Sequence, residues 1–149
     1  MKVDIQMIIN NPKPQLFTVK TINVKKDTFE YESYMVDMLK NKLNIDKMDS
    51  EFIYVIGLNF SLQPKVILLA GIGNNSKCTS NLRGIATGLL LSGSEQFYVF
   101  HNHPGKNKTP SKGDTYMTQK YDQLGDLIGI DFVKHIMVAG DYYTECEYE

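Results

Sequence analysis

A chain of 149 residues fits one domain and can bury about 68 to 70 per cent of its unfolded surface, so no disulfide staples are needed to complete a core. Apolar residues at 42% and charged residues at 22% are ordinary globular usage, which excludes disordered and fibrous classes. Sixteen Lys and Arg against 17 Asp and Glu leave a net charge of −1, so the balance carries no electrostatic footprint for nucleic acid.

The two cysteines, Cys78 and Cys146, have no Cys-x-x-Cys partner and read as free thiols. No apolar run approaches the roughly 18 residues of a membrane span, and a cytoplasmic location without a membrane partner is the expectation.

In chain order, residues 3 to 9 begin with alternation and read as a strand ended by Asn10, Asn11 and Pro12. Leu16 to Val24 alternates as a second strand, which predicts a hairpin with its loop around Asn11 to Pro14. Asp27 or Thr28 caps a predicted helix running to about Leu43, with Val36, Leu39 and Leu43 on its inner face. Glu51 then precedes Phe52 to Leu58, a continuous apolar run of the kind a buried central strand shows. Val66 to Ala70 predicts another strand. The polar segment Gly71 to Thr79 is long enough to line a cleft.

Ser80 is expected to cap a helix over residues 80 to 92, with Leu82, Ile85, Ala86 and Leu89 inward and Gly93 as its stop. Phe97 to Phe100 is aromatic and β-branched and reads as a buried strand. A helix is expected from Asp114 to about Ile128, with Met117, Tyr121, Leu124 and Ile128 on one face and Gly129 at its end. Ile130 to Val138 and Tyr142 to Tyr148 complete the set as an alternating strand and an edge strand. There is no internal repeat and no domain boundary.

The chemistry concentrates in HNHPGKNKTPSKGD, His101 to Asp114. His101 and His103 lie two apart at a strand exit, so their imidazoles project the same way and can share a metal. A catalytic zinc needs a third protein ligand and an open position for water. Asp114, beyond a loop turned by Pro104, Gly105 and Pro110, is the candidate. Ser111-x-x-Asp114 is equally a helix-start signature, so the two residues can serve as a cap, as site residues, or as both. The third histidine, His135, reads as a structural histidine on an alternating strand.

His-x-His, seven residues, Ser111, two residues, Asp114 resembles the JAMM (JAB/MPN/Mov34) zinc metallopeptidases. The HNHP start, the Thr109-Pro110-Ser111 turn and the His135-Ile136 strand are similar to the RadC-like branch. The resemblance covers roughly residues 45 to 149, with 1 to 45 reading as a divergent hairpin and helix. It implies an α/β fold of the JAMM/MPN, cytidine-deaminase-like type, a curved mixed sheet packed by helices.

It further implies Zn²⁺ held by His101, His103 and Asp114, with Ser111 donating to the oxyanion and a Glu before the central strand acting as base. Leu58 and Asn59 stand seven and eight residues after Glu51, the offsets of the RadC-like pattern, which points to Glu51 over its competitors Glu95, Glu30 and Glu32. His135 occupies the family's Asp-His-Ile segment, so a role behind the metal or toward substrate stays open, while Lys134 in place of the Asp weakens the case for an orienting carboxylate there.

The implied reaction is hydrolysis of a peptide or lysine isopeptide bond, with a protein or peptide, or a ubiquitin-like conjugate, as substrate. Gly105 and Lys106 replace the usual Ser and Gly of HNHPSG. The helix-hairpin-helix segment common before this domain in RadC proteins is not evident in residues 1 to 45, so a DNA-repair role draws little support. An HNH nuclease spreads its motif over a ββα unit, and a zinc deaminase needs His-x-Glu with Pro-Cys-x-x-Cys; neither pattern occurs. A catalytically idle MPN-type binding module is the remaining alternative, although such modules typically lose ligands and none is lost here. Iron or cobalt in place of zinc is also open.

Overall fold

The computed structural model describes residues 1–73 and 81–148. Its elements are β1 (Lys2–Ile9), β2 (Gln15–Asn23), α1 (Glu32–Leu43), a 3-10 turn (Ile45–Lys47), β3 (Glu51–Leu58), β4 (Pro64–Gly73), α2 (Leu82–Leu91), β5 (Gln96–Asn102), α3 (Lys112–Ile128), β6 (Asp131–Ala139) and β7 (Tyr142–Glu145). All seven strands form one sheet in the order β2-β1-β4-β3-β5-β6-β7. The mixed α/β architecture agrees with the sequence expectation. β1 and β2 form the expected hairpin, and β3 lies antiparallel between β4 and β5. β5 and β6 run parallel, joined by the α3 crossover.

The strands at the centre are apolar on both faces because both faces are covered. On one side Tyr54, Ile56, Phe100, Ile136 and Val138 pack with Met35, Val36, Leu39 and Leu43 of α1. On the other, Ile53, Val55, Phe97 and Val99 pack with Ile85 and Leu89 of α2 and Tyr121 of α3. Burying one such side chain stabilises the fold by about 1.5 to 3 kcal/mol, so the two layers fix the strand ends that carry the site.

Two boundaries differ from expectation for identifiable reasons. α1 begins at Glu32 rather than near 28, with Tyr31 at its N-cap and no capping side chain. Thr28 bonds Glu30 instead, while buried Phe29 donates its N–H to Leu62 O at 2.7 Å, which pins this segment outside the helix. α2 is capped by Asn81, whose side chain accepts the Gly84 N–H; the expected Ser80 cap and most of the Gly71–Thr79 loop lie outside the described residues, as does Cys78. Gly129 ends α3 at φ 72, a left-handed conformation that glycine adopts without Cβ strain.

Among the described residues no helix is long and apolar enough to cross a membrane. Cys146 is a free thiol, as expected, and fully buried.

Candidate metal centre

β5 alternates Phe97, Val99 and His101 toward the α2 and α3 side, so His101 continues a buried apolar row at the strand end. His103 follows just beyond β5, held by its N–H to Val138 O at 2.9 Å. α3 starts at Lys112, two residues before the expected Asp114: Ser111 is the N-cap, and Asp114 sits in the first turn. There a carboxylate is favoured by the helix dipole.

Of the two functions the sequence left open for Ser111 and Asp114, the cap is formed. Ser111 Oγ accepts the Asp114 N–H at 3.1 Å, and Asp114 Oδ2 accepts the Ser111 N–H at 2.7 Å, a reciprocal capping box. The same carboxylate faces both histidines, with His101 Nε2 3.1 Å from Oδ1 and His103 Nε2 3.0 Å from Oδ2. His101, His103 and Asp114 thus present three ligand atoms within 4.8 Å of one another. Their side chains are 5, 11 and 16% exposed, so the group is shielded yet reachable from solvent.

Burial acts to raise the Asp114 carboxyl, but the two imidazoles and the Ser111 N–H outweigh it and hold it well below the usual carboxylate range. The Asp114 hydrogen bond raises the His103 imidazole, with burial opposing. Behind His103, Nδ1 lies 2.9 Å from Asn107 O; because a carbonyl only accepts, Nδ1 carries the hydrogen and Nε2 faces Asp114.

Glu51 opens β3 on the strand next to β5, where Ile53 pairs with His101. Burial raises its carboxyl above 4.5, opposed by the neighbouring His101 and His103. The competing glutamates lie elsewhere. Glu95 precedes the opposite end of β5 and accepts the Phe60 N–H, Glu30 is exposed beside Thr28, and Glu32 pairs with Lys134 on the α1 side.

His135 is buried beside Val99 on β6, with Nε2 2.8 Å from His101 Nδ1 and Nδ1 2.8 Å from Thr118 Oγ1. Burial pushes its imidazole down to about 3, so it is neutral. Lys134 points instead to Glu32 and Glu145 at 3.0 and 3.7 Å.

Sequence reasoning missed Thr118 and Asn102. Thr118 stands one turn after Asp114 on the same helix face, a spacing that signals it. Asn102 sits between the two histidines, and its partners come from β3 and the residue just before it, which no local pattern reveals.

A family model for the RadC-like JAB domain matches residues 29–147. The chain belongs to the RadC-like JAB domain family. The match begins upstream of the resemblance read near residue 45 and takes in all of α1. The seven-stranded sheet with three helices is accordingly a JAB/MPN-type α/β fold.

Among relatives of this RadC-like JAB domain, a UPF0758 protein of Actinobacillus pleuropneumoniae is 28% identical over 144 residues, 96% of this chain and 56% of the relative. Another, from Lactococcus lactis subsp. cremoris, is 37% identical over 92 residues, 61% of this chain and 39% of the relative. A third, from Thermotoga maritima, is 26% identical over 92 residues, covering 62% and 41%. The chain spans about half or less of the length of these curated relatives.

The JAB family includes metallohydrolases and often binds zinc. Among the described residues His101 Nε2 is buried without an assigned hydrogen-bond partner, 3.1 Å from Asp114 Oδ1. Two imidazoles and one carboxylate, with one nitrogen left orphaned toward the others, are the donor set of a zinc site that keeps an open position. The residues present therefore fit a divalent metal.

Proposed function

We propose that this RadC-like JAB domain is a zinc-dependent hydrolase of a peptide or lysine isopeptide bond. The observation that carries the reading is the convergence of His101, His103 and Asp114 around the orphaned His101 Nε2. Zinc bound there would act as a Lewis acid and bring water into nucleophilic range near neutral pH.

The chain's own groups then divide the work. Glu51, half-buried and with its carboxyl raised, takes a proton from the attacking water and returns it to the leaving amine. Ser111 Oγ accepts the Asp114 N–H, which leaves its own O–H free to donate to the oxyanion of the substrate carbonyl. The Asn107 carbonyl fixes the ring that offers His103 Nε2. The substrate is a protein or peptide, including a ubiquitin-like conjugate, and neither nucleic acid nor membrane enters this reading.

Elemental analysis of the purified chain beside His103→Ala tests it, followed by a screen of peptide and isopeptide substrates with Glu51→Gln as control. One zinc per chain, lost in His103→Ala, together with cleavage abolished in Glu51→Gln, is the expected result. A wild type that takes up no zinc when zinc is added back overturns it.

A further inference from the structure

We propose that Thr118 and His135 are positioning residues that hold a hydrogen on His101 Nδ1 and fix its ring plane, so that Nε2 is the nitrogen presented to the metal position. This rests on the metal-site reading above. It also makes a claim about proton placement in the metal-free chain that can be tested alone.

The argument starts at the end of the network farthest from the metal. Thr118 Oγ1 lies 2.9 Å from Asp114 O and 3.1 Å from Cys146 O. Both are carbonyl oxygens, which only accept, so the single hydroxyl hydrogen must go to them. The third neighbour of Thr118 Oγ1 is His135 Nδ1 at 2.8 Å, which must then be the donor. His135 is 3% exposed and its two nitrogens face neutral partners, so it carries one hydrogen, on Nδ1.

His135 Nε2 is left as an acceptor, and the 2.8 Å contact to His101 Nδ1 is donated by His101. With a hydrogen fixed on Nδ1, Nε2 is the His101 nitrogen that faces Asp114 and the metal position, 3.1 Å from Asp114 Oδ1. The opposite polarity would spend the Thr118 hydrogen on His135 and leave two carbonyls pressed against an oxygen with nothing to share. Backbone carbonyls from α3 and from the residue after β7 thus impose one direction on a relay crossing Thr118, His135 and His101.

The same geometry decides against a separate metal held by His101, His135 and Cys146, three buried groups also within 4.8 Å of one another. His101 Nδ1 and His135 Nε2 are already committed to each other in the relay, at 2.8 Å. His103 receives equivalent support from the Asn107 carbonyl, so each histidine ligand is backed by a different device. Such outer partners orient a ring and raise its basicity, and their loss typically weakens metal binding by about 10- to 100-fold.

The test uses the full chain, Thr118→Val and Thr118→Ser, with two readouts. Long-range proton–nitrogen NMR on the metal-free wild type should find the hydrogen on Nδ1 of both His101 and His135. Competition with a chelator of known affinity should give zinc binding about 10- to 100-fold weaker in Thr118→Val and within about threefold of wild type in Thr118→Ser, which keeps the hydroxyl. An Nε2–H tautomer on either ring of the wild type overturns the proposal, as does unchanged zinc affinity in folded Thr118→Val. Should Thr118→Val fail to fold, the wild-type tautomers and Thr118→Ser still decide. A wild type that binds no zinc defeats the hydrolase reading instead, and the tautomers then judge the relay alone.

Discussion

The Asn102 side chain is bonded to both peptide groups that flank Glu51: Oδ1 accepts the Phe52 N–H at 2.6 Å, and Nδ2 donates to Ser50 O at 3.0 Å. A residue lodged between two metal-ligand candidates therefore also holds the strand end carrying the candidate base. Asn102→Ala leaves a strand-end N–H and C=O without partners, which costs about 1 to 3 kcal/mol. Chemical denaturation should register that loss, while zinc stoichiometry stays near wild type because no ligand is touched.

Glu51→Gln keeps the size of the side chain and removes its ability to take a proton. Zinc content should be unchanged and turnover should fall by about 10²- to 10⁴-fold once a substrate is in hand. Loss of zinc in this variant would move Glu51 from base to ligand.

Ser111→Ala should separate the two roles of its hydroxyl. Losing the cap costs about 1 kcal/mol of stability, seen as a lower melting temperature. Losing an oxyanion donor lowers kcat by about 10²- to 10³-fold. Ser111→Thr retains both functions, so a Thr variant as damaged as the Ala variant would argue against this division.

Lys106 sits at φ 59, a position the RadC-like pattern gives to Gly. A side chain in this left-handed conformation costs roughly 1 to 2 kcal/mol, whereas the extra freedom of Gly in the unfolded chain costs about 0.4 to 1 kcal/mol. Lys106→Gly should therefore gain between about 0 and 1.6 kcal/mol in thermal unfolding, with zinc binding intact.

His135 gives the metal-free protein a defined pH response. Its folded value of about 3 lies below the ordinary 6.5, so between these the unfolded chain binds the extra proton. Its contribution is complete above about 6.5 and is lost as pH falls toward 3, with a slope of at most about 1.4 kcal/mol per pH unit. Asp114 adds to the loss below about 4, and Glu51, whose folded value is raised, opposes it just above 4.5. Subtracting the unfolding profile of His135→Gln isolates the histidine, and a flat difference between pH 6.5 and 4.5 would refute its neutral burial.

Much of this was legible because the signals are local. His101 and His103 share a face through strand alternation, Ser111 and Asp114 announce a helix start, and the Phe52–Leu58 run marks a central strand. Thr118, Asn102 and the late start of α1 escaped for the opposite reason. Thr118 acts on β6 and on Cys146, Asn102 on the chain around Glu51, and Phe29 is captured by Leu62, all partners set by tertiary packing. Lys134 turns away to Glu32 and Glu145, and the neighbour of His135 Nδ1 is a threonine hydroxyl contributed by α3.

The parallel pairing of β5 with β6 through α3 places both candidate histidine ligands, Asp114, the capping serine, Thr118 and His135 within the single stretch Gln96–Ala139, and leaves Glu51 on a strand from earlier in the chain. On the hydrolase reading proposed above, holding the ion and performing the reaction fall to separate stretches of the chain. On that reading one substitution on β3 would silence the chemistry and leave a fully metallated protein, so metal content by itself would be no measure of catalytic competence.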